Sequence, residues 1–132
     1  RDLAGLVATA KREPGRVTFG QSGNGTTTHM LGALFGLRAG IDWTAVPYRG
    51  SGQLTGAFLS GDVEVMIGES STMLPLAREG RLLLLGQSGA GRSAAMADVP
   101  TMEEAVPGTT LPIWFAMTTG RATPAEAIAR IV

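Results

Sequence analysis

The chain has 132 residues, is 44% hydrophobic and balances 11 Lys+Arg against 11 Asp+Glu, which fits a single domain with its own core and excludes a disordered polar segment. A net charge of zero removes the basic field that nucleic-acid binding or attachment to an anionic membrane requires. With no Cys and one His, a thiolate metal site, a disulfide framework, a Cys nucleophile and a multi-His zinc site are excluded, and nothing calls for a cofactor.

A first helix is predicted over residues 2–11, where Leu3, Leu6, Val7 and Ala10 share a face, and Pro14-Gly15 ends it before a strand at 16–19. A glycine-rich turn then leads into a helix over 26–39, with Met30/Leu34 and Leu31/Phe35 paired four residues apart and Gly40 at its stop. Strands are predicted at 43–46, 63–67 and 82–85, separated by helices over 53–59, closed by Gly61, and 72–79, closed by Gly80. Residues 88–97 read as a surface loop. Thr101 and Glu104 form a capping box for a short helix at 102–105, a fifth strand is predicted at 113–117, and Thr123, Pro124 and Glu126 open a helix from Ala125. The longest apolar run, Leu82-Leu83-Leu84-Leu85, is far short of the ~20 residues that cross a bilayer. Because the chain opens on Arg1 and stops at Val132 within that last helix, it is expected to be an excised piece of a longer one. The alternation predicts an α/β fold: a mainly parallel sheet flanked by helices, as one domain over residues 1–132.

Chemistry concentrates in the loops at the carboxyl ends of the predicted strands, where open α/β sheets bind ligands. The first runs Gly20-Gln21-Ser22-Gly23-Asn24-Gly25-Thr26-Thr27-Thr28. Here Ser22, Gly23, Asn24, Gly25, Thr26 and Thr27 are candidate ligand-binding residues, because glycines admit a ligand to the backbone and a helix N-terminus offers N–H groups to an anion. The second holds Tyr48, Arg49 and Gly50, a phenol and a guanidinium suited to carboxylates. The third holds Glu69 and Ser70, the acid suited to an ammonium or to water. Helix capping and turn geometry explain the same glycines and hydroxyls without a ligand. No G-x-x-x-x-G-K-[ST] exists, since Lys11 is the sole lysine, and Asn24 and Ala90 stand where the last glycine of G-x-S-x-G would be. Two other readings stay open: a small serine hydrolase using Ser22 with His29, and a nucleotide-binding regulatory module.

The sequence resembles the Bug family, the substrate-binding receptors of tripartite tricarboxylate transporters. The likeness rests on Pro14-Gly15-Arg16-Val17-Thr18-Phe19-Gly20 with Ser22-Gly23-Asn24-Gly25 and His29-Met30, on Val46-Pro47-Tyr48-Arg49-Gly50, on Gly61-Asp62-Val63-Glu64-Val65-Met66, and on Asp98-Val99-Pro100-Thr101-Met102 followed by Trp114. It departs at Gly68-Glu69, where relatives commonly carry an Asp. The resemblance implies a non-catalytic, two-lobed periplasmic binding protein of the type II class, closing on a di- or tricarboxylate or an amino acid, with a membrane permease as partner. It further implies that this chain is mainly the second lobe, that residues from about 113 to 132 return toward the missing first lobe, and that backbone N–H groups, hydroxyls and ordered water hold the ligand carboxylate. The isolated lobe is expected to bind weakly and, with its inter-lobe apolar surface uncovered, to be open to self-association.

Overall fold

The computed structural model describes residues 2–111, 113 and 116–130. Its elements in order are α1 (Leu3–Arg12), β1 (Thr18–Gln21), α2 (Thr27–Ala39), β2 (Thr44–Pro47), α3 (Ser51–Ser60), β3 (Val65–Met66), α4 (Ser70–Arg78), a 3-10 turn (Ala94–Met96), α5 (Met102–Ala105) and α6 (Ala125–Ala129). The strands form one parallel sheet in the order β2-β1-β3, with Thr18 opposite Thr44 and Phe19 opposite Val65. The α/β architecture read from the alternation is present.

Caps set the helix ends. The Asp2 carboxylate accepts the Gly5 N–H at 2.7 Å to open α1, and Gly40, at φ 62°, closes α2 in the left-handed conformation that glycine adopts without strain. In α5 the capping box is complete. Thr101 Oγ1 accepts the Glu104 N–H, and Glu104 Oε1 accepts the Thr101 N–H, both at 3.1 Å.

Successive strand residues face opposite sides of a sheet, and β1 uses this to seat a helix on each. The Phe19 ring lies against Gly32 of α2, where a Cβ would overlap it, while Gly20 next door faces Leu54 of α3. On the α2 side Leu3, Leu31, Phe35, Ala39, Met102 and Val106 make the buried core, joined by Trp43, whose ring centroid lies 4.5 Å from that of Phe19 and 5.6 Å from that of Phe35.

Four predicted strands are corrected. The first lies two residues later than expected, and the third keeps only Val65–Met66. Residues 82–85 form no strand; among the described residues the pairing nearby is a parallel bridge between Gln87 and Thr101. An apolar run gives the propensity of a strand, but a strand exists only where a partner supplies the ladder. Of the fifth predicted strand, Ile113, Ala116 and Met117 are not in one. Trp114 and Phe115 lie outside the described residues, as do the last two residues of the final predicted helix.

Residues 88–97 form the expected surface loop, pinned by a bidentate pair: Arg92 Nε to Glu104 Oε1 at 2.9 Å and Arg92 Nη2 to Glu104 Oε2 at 2.5 Å. The Arg92 guanidinium, with help from the Thr101 N–H, holds the Glu104 carboxyl down at about 2. A depressed carboxyl stabilises the fold above its unfolded value of about 4.3 and loses that contribution as pH falls through the folded value. Arg92→Ala is therefore expected to lower Tm slightly at pH 7 and to speed proteolysis of the 88–97 loop. The Tm difference from wild type should vanish as pH falls from about 4.5 to about 2 in a melting series; a difference constant down to pH 2 would refute the pairing.

Candidate functional site

The loop after β1 is built around a buried side chain that sequence reasoning passed over. Gln21 is fully buried at the carboxyl end of β1, and its amide has to be satisfied there. Gln21 Oε1 accepts the Gly23 N–H at 2.7 Å and Gln21 Nε2 donates to Asn24 Oδ1 at 2.8 Å, which folds the loop back over the strand end. With the strand expected to end at residue 19, Gln21 falls in the predicted loop and its burial is not legible there. The same four residue types recur at Gly86-Gln87-Ser88-Gly89, and Gln87 works alike, accepting the Ser93 N–H and donating to the Met96 and Val99 carbonyls.

Three hydroxyls continue the site. Thr28 Oγ1 accepts the Ser22 N–H at 3.0 Å and lies 2.9 Å from Ser22 Oγ and 3.0 Å from Thr26 Oγ1, whose own proton goes to the Gly23 carbonyl at 2.6 Å. Thr28 is thus the hub: with the Thr26 proton spent on the Gly23 carbonyl, the single Thr28 proton goes to Thr26 Oγ1, and Ser22 Oγ donates to Thr28.

The backbone donors sort into engaged and free. Gly23 gives its N–H to Gln21, Gly25 to His29 Nδ1, Thr26 to the Gly23 carbonyl, and His29 to Thr26 Oγ1. Among the described residues no protein acceptor meets the N–H groups of Asn24, Thr27 and Thr28. The last two begin α2, where the helix dipole adds positive potential, so the two helical N–H groups are suited to an anion.

The neighbouring loops are tied in by backbone. Tyr48 N–H bonds the Gln21 carbonyl at 2.9 Å and Gly50 N–H the Ser22 carbonyl at 3.2 Å, so the second loop lies beside the first. The Tyr48 ring lies near Gly20, while the Arg49 side chain is exposed and its N–H is held by Gln53. One cleft of about 820 Å³ runs past Ser22, Thr26, Thr27, Thr28, Glu69 and Ser70. Gly23, Asn24, Gly25, Tyr48, Arg49 and Gly50 do not line it. Its lining mixes hydroxyls, Glu64, Glu69 and Gln87 with apolar walls from residues 65–67 and 82–85. Among the described residues it contains no Lys, Arg or His, so an anion there would rely on N–H groups, hydroxyls and the dipole.

A Ser–His dyad does not form. Ser22 Oγ is paired with Thr28, and His29 Nδ1 accepts the Gly25 N–H at 3.1 Å, which uses the nitrogen that could have acted as base from that side.

The whole chain, residues 1–132, matches the family described as the tripartite tricarboxylate transporter family receptor. The chain belongs to this receptor family. It is a family of substrate-binding receptors, not of enzymes, so the hydrolase reading falls on kinship as well as on geometry. BugT of Bordetella pertussis is 34% identical to this receptor chain over 127 residues, which are 96% of it and 39% of BugT. Rpa4515 of R. palustris, in a structure with adipate, is 31% identical with a TM-score of 0.92, over 98% of this chain and 44% of that one. MatC from Rhodopseudomonas palustris, with bound malate, is 25% identical with a TM-score of 0.77, over 84% of this chain and 38% of that one. The chain spans about two fifths of the length of the curated relatives it matches, 40% and 39% for two of them.

Proposed function

We propose that this chain is the ligand-binding lobe of a periplasmic receptor that captures a small carboxylate and delivers it to a membrane permease. The observation that carries the reading is the start of α2, where Thr27 and Thr28, whose N–H groups meet no protein acceptor among the described residues, line the cleft. That the relatives Rpa4515 and MatC were solved with adipate and malate supports a carboxylate as ligand. On this reading the Thr27 and Thr28 N–H groups take the carboxylate, with the Ser22 and Thr26 hydroxyls fixing the loop beside them. Glu69 and Ser70 face the remainder of the ligand, and Gly23, Asn24, Gly25, Tyr48, Arg49 and Gly50 shape the rim. The other lobe closes over the ligand and excludes water, which a single lobe cannot do.

A thermal-shift screen of the full-length receptor tests this against a panel of small dicarboxylates, tricarboxylates, amino acids and nucleotides. A ligand at about 100 times its Kd stabilises by about 2.7 kcal/mol, a shift well above noise. Carboxylates are expected to raise Tm, with this chain alone responding far less. A response to nucleotides and none to carboxylates would overturn the proposal in favour of a regulatory module.

A further inference from the structure

The chain holds a single asparagine, Asn24, and the residue after it is Gly25. That pair carries a chemistry of its own. The backbone nitrogen of the following residue can attack an asparagine side-chain amide, and a glycine there puts no side chain in the way. Two demands ordinarily hold the reaction back. An amide N–H is a poor nucleophile until a base takes its proton, and an amide carbonyl is a poor electrophile until a donor polarises it. The loop after β1 meets both.

The base is His29. Its Nδ1 accepts the Gly25 N–H at 3.1 Å, so an imidazole lone pair already rests on the proton of the attacking nitrogen. The polarising donor is Gln21. The Gly23 N–H, donated to Gln21 Oε1 at 2.7 Å, fixes which way round this buried amide lies, and its Nε2 therefore donates to Asn24 Oδ1 at 2.8 Å. A buried donor aimed at a carbonyl oxygen stabilises the negative charge that the oxygen gains on attack. Access is open as well. Asn24 and Gly25 are exposed to water, and Gly25, at φ 78°, is the third residue of a turn closed by the Thr26 N–H on the Gly23 carbonyl. Among the described residues nothing lies within 4 Å of the place its Cβ would take, so its peptide can turn toward the Asn24 side chain without meeting a neighbour.

We infer that Asn24 is a self-modification site, at which the folded loop converts asparagine to aspartate and isoaspartate through a cyclic imide. The Gly25 N–H proton passes to His29 Nδ1 as the nitrogen attacks Asn24 Cγ, and the negative charge on Oδ1 rests on the Gln21 Nε2–H. The new C–N bond closes the imide ring. The bond from Cγ to the side-chain nitrogen then breaks, and ammonia leaves with the proton that His29 returns. Water adds to either imide carbonyl. Opening on one side leaves aspartate; opening on the other leaves isoaspartate, whose backbone runs through the former side chain and is longer by a methylene. Either product fixes a carboxylate at position 24, three residues before Thr27 and its free N–H. The consequence for binding rests on the reading of the start of α2 as the carboxylate site: a fixed negative charge there repels an anionic ligand, and the receptor loses affinity as it ages.

The test incubates the ligand-free full-length receptor at one pH and temperature, folded in buffer and, in parallel, unfolded in guanidinium. Trypsin then releases residues 17–37 with Arg38 at their end, a peptide that has no other Lys or Arg and holds the asparagine. Chromatography with mass spectrometry measures its asparagine, aspartate and isoaspartate forms. Conversion is expected to run at least about tenfold faster in the folded protein, a modest part of what a positioned base contributes. His29→Gln keeps an acceptor for the Gly25 N–H but cannot take its proton, and it is expected to lower the folded rate to the unfolded one. A wild-type receptor that converts no faster folded than unfolded would overturn the inference. A folded His29→Gln variant as fast as wild type would overturn the assignment of His29 as base. Asn24→Asp is expected to bind the carboxylate with the largest shift in the thermal screen several-fold more weakly. Wild-type affinity in that variant would overturn the consequence for binding and the carboxylate site at α2, while the peptide measurement decides the modification by itself.

Discussion

Phe35→Ala is expected to be the most damaging single substitution in the α2 face, costing about 3–5 kcal/mol. Phe35 is fully exposed to the core and not at all to solvent, and it packs with Leu3, Leu31, Met102 and Val106 and against Trp43. Truncation removes buried aromatic area and leaves a cavity that α1, α2 and α5 cannot all close on. Against a domain stability of about 5–15 kcal/mol this is a large fraction of the whole. Equilibrium urea denaturation measures it. Gly56→Ala is the contrast: Gly56 sits inside α3 with nothing within 4 Å of an added Cβ, so alanine should stabilise by up to about 1 kcal/mol. A Phe35→Ala variant as stable as wild type would mean that the α2 face is not the core.

The largest functional effect is expected from Gly25→Val in the full-length receptor. Gly25 sits at φ 78° with open space around its Cβ position, so the cost lies in the backbone and not in a clash. A β-branched residue there costs of order 1–3 kcal/mol, and the loop relieves the strain by moving. Movement breaks the Gly25 N–H to His29 Nδ1 bond and carries the Asn24, Thr27 and Thr28 donors off their common point. Affinity for the carboxylate found in the screen should fall at least tenfold by calorimetry, because 1.4 kcal/mol is a factor of ten. Arg92→Ala, whose partner Glu104 lies in α5 and not at this loop, should change affinity less than twofold. Equal losses in the two variants would refute the placement of the ligand at this loop.

Local rules carried most of the helices. The Asp2 cap, the Thr101–Glu104 box and Gly40 each act within four residues along the chain, so their geometry is written in adjacent letters. The glycine-rich loop was legible for the same reason: a strand running through Gly23 and Gly25 into a helix places N–H groups at one point whatever else the chain does. Kinship was legible too, because Val46-Pro47-Tyr48-Arg49-Gly50 and Asp98-Val99-Pro100-Thr101 keep their order and spacing along the whole chain.

What tertiary structure decided was which donors and which strands are used. Sequence alone gives Gly23, Gly25 and Thr26 the same standing as Thr27, yet the buried Gln21 amide and the His29 ring claim the first loop donors and leave those at the start of α2 free. It equally cannot show that Thr28 joins Ser22 to Thr26, since that depends on the helix turning the hydroxyl back over the strand end. Residues 82–85 make the point most sharply. Four leucines in a row determine that the segment prefers an extended, covered environment, while a ladder needs a second backbone at about 4.8 Å, and no local sequence can supply one. Side-chain preference is a property of the residue; pairing is a property of the neighbour.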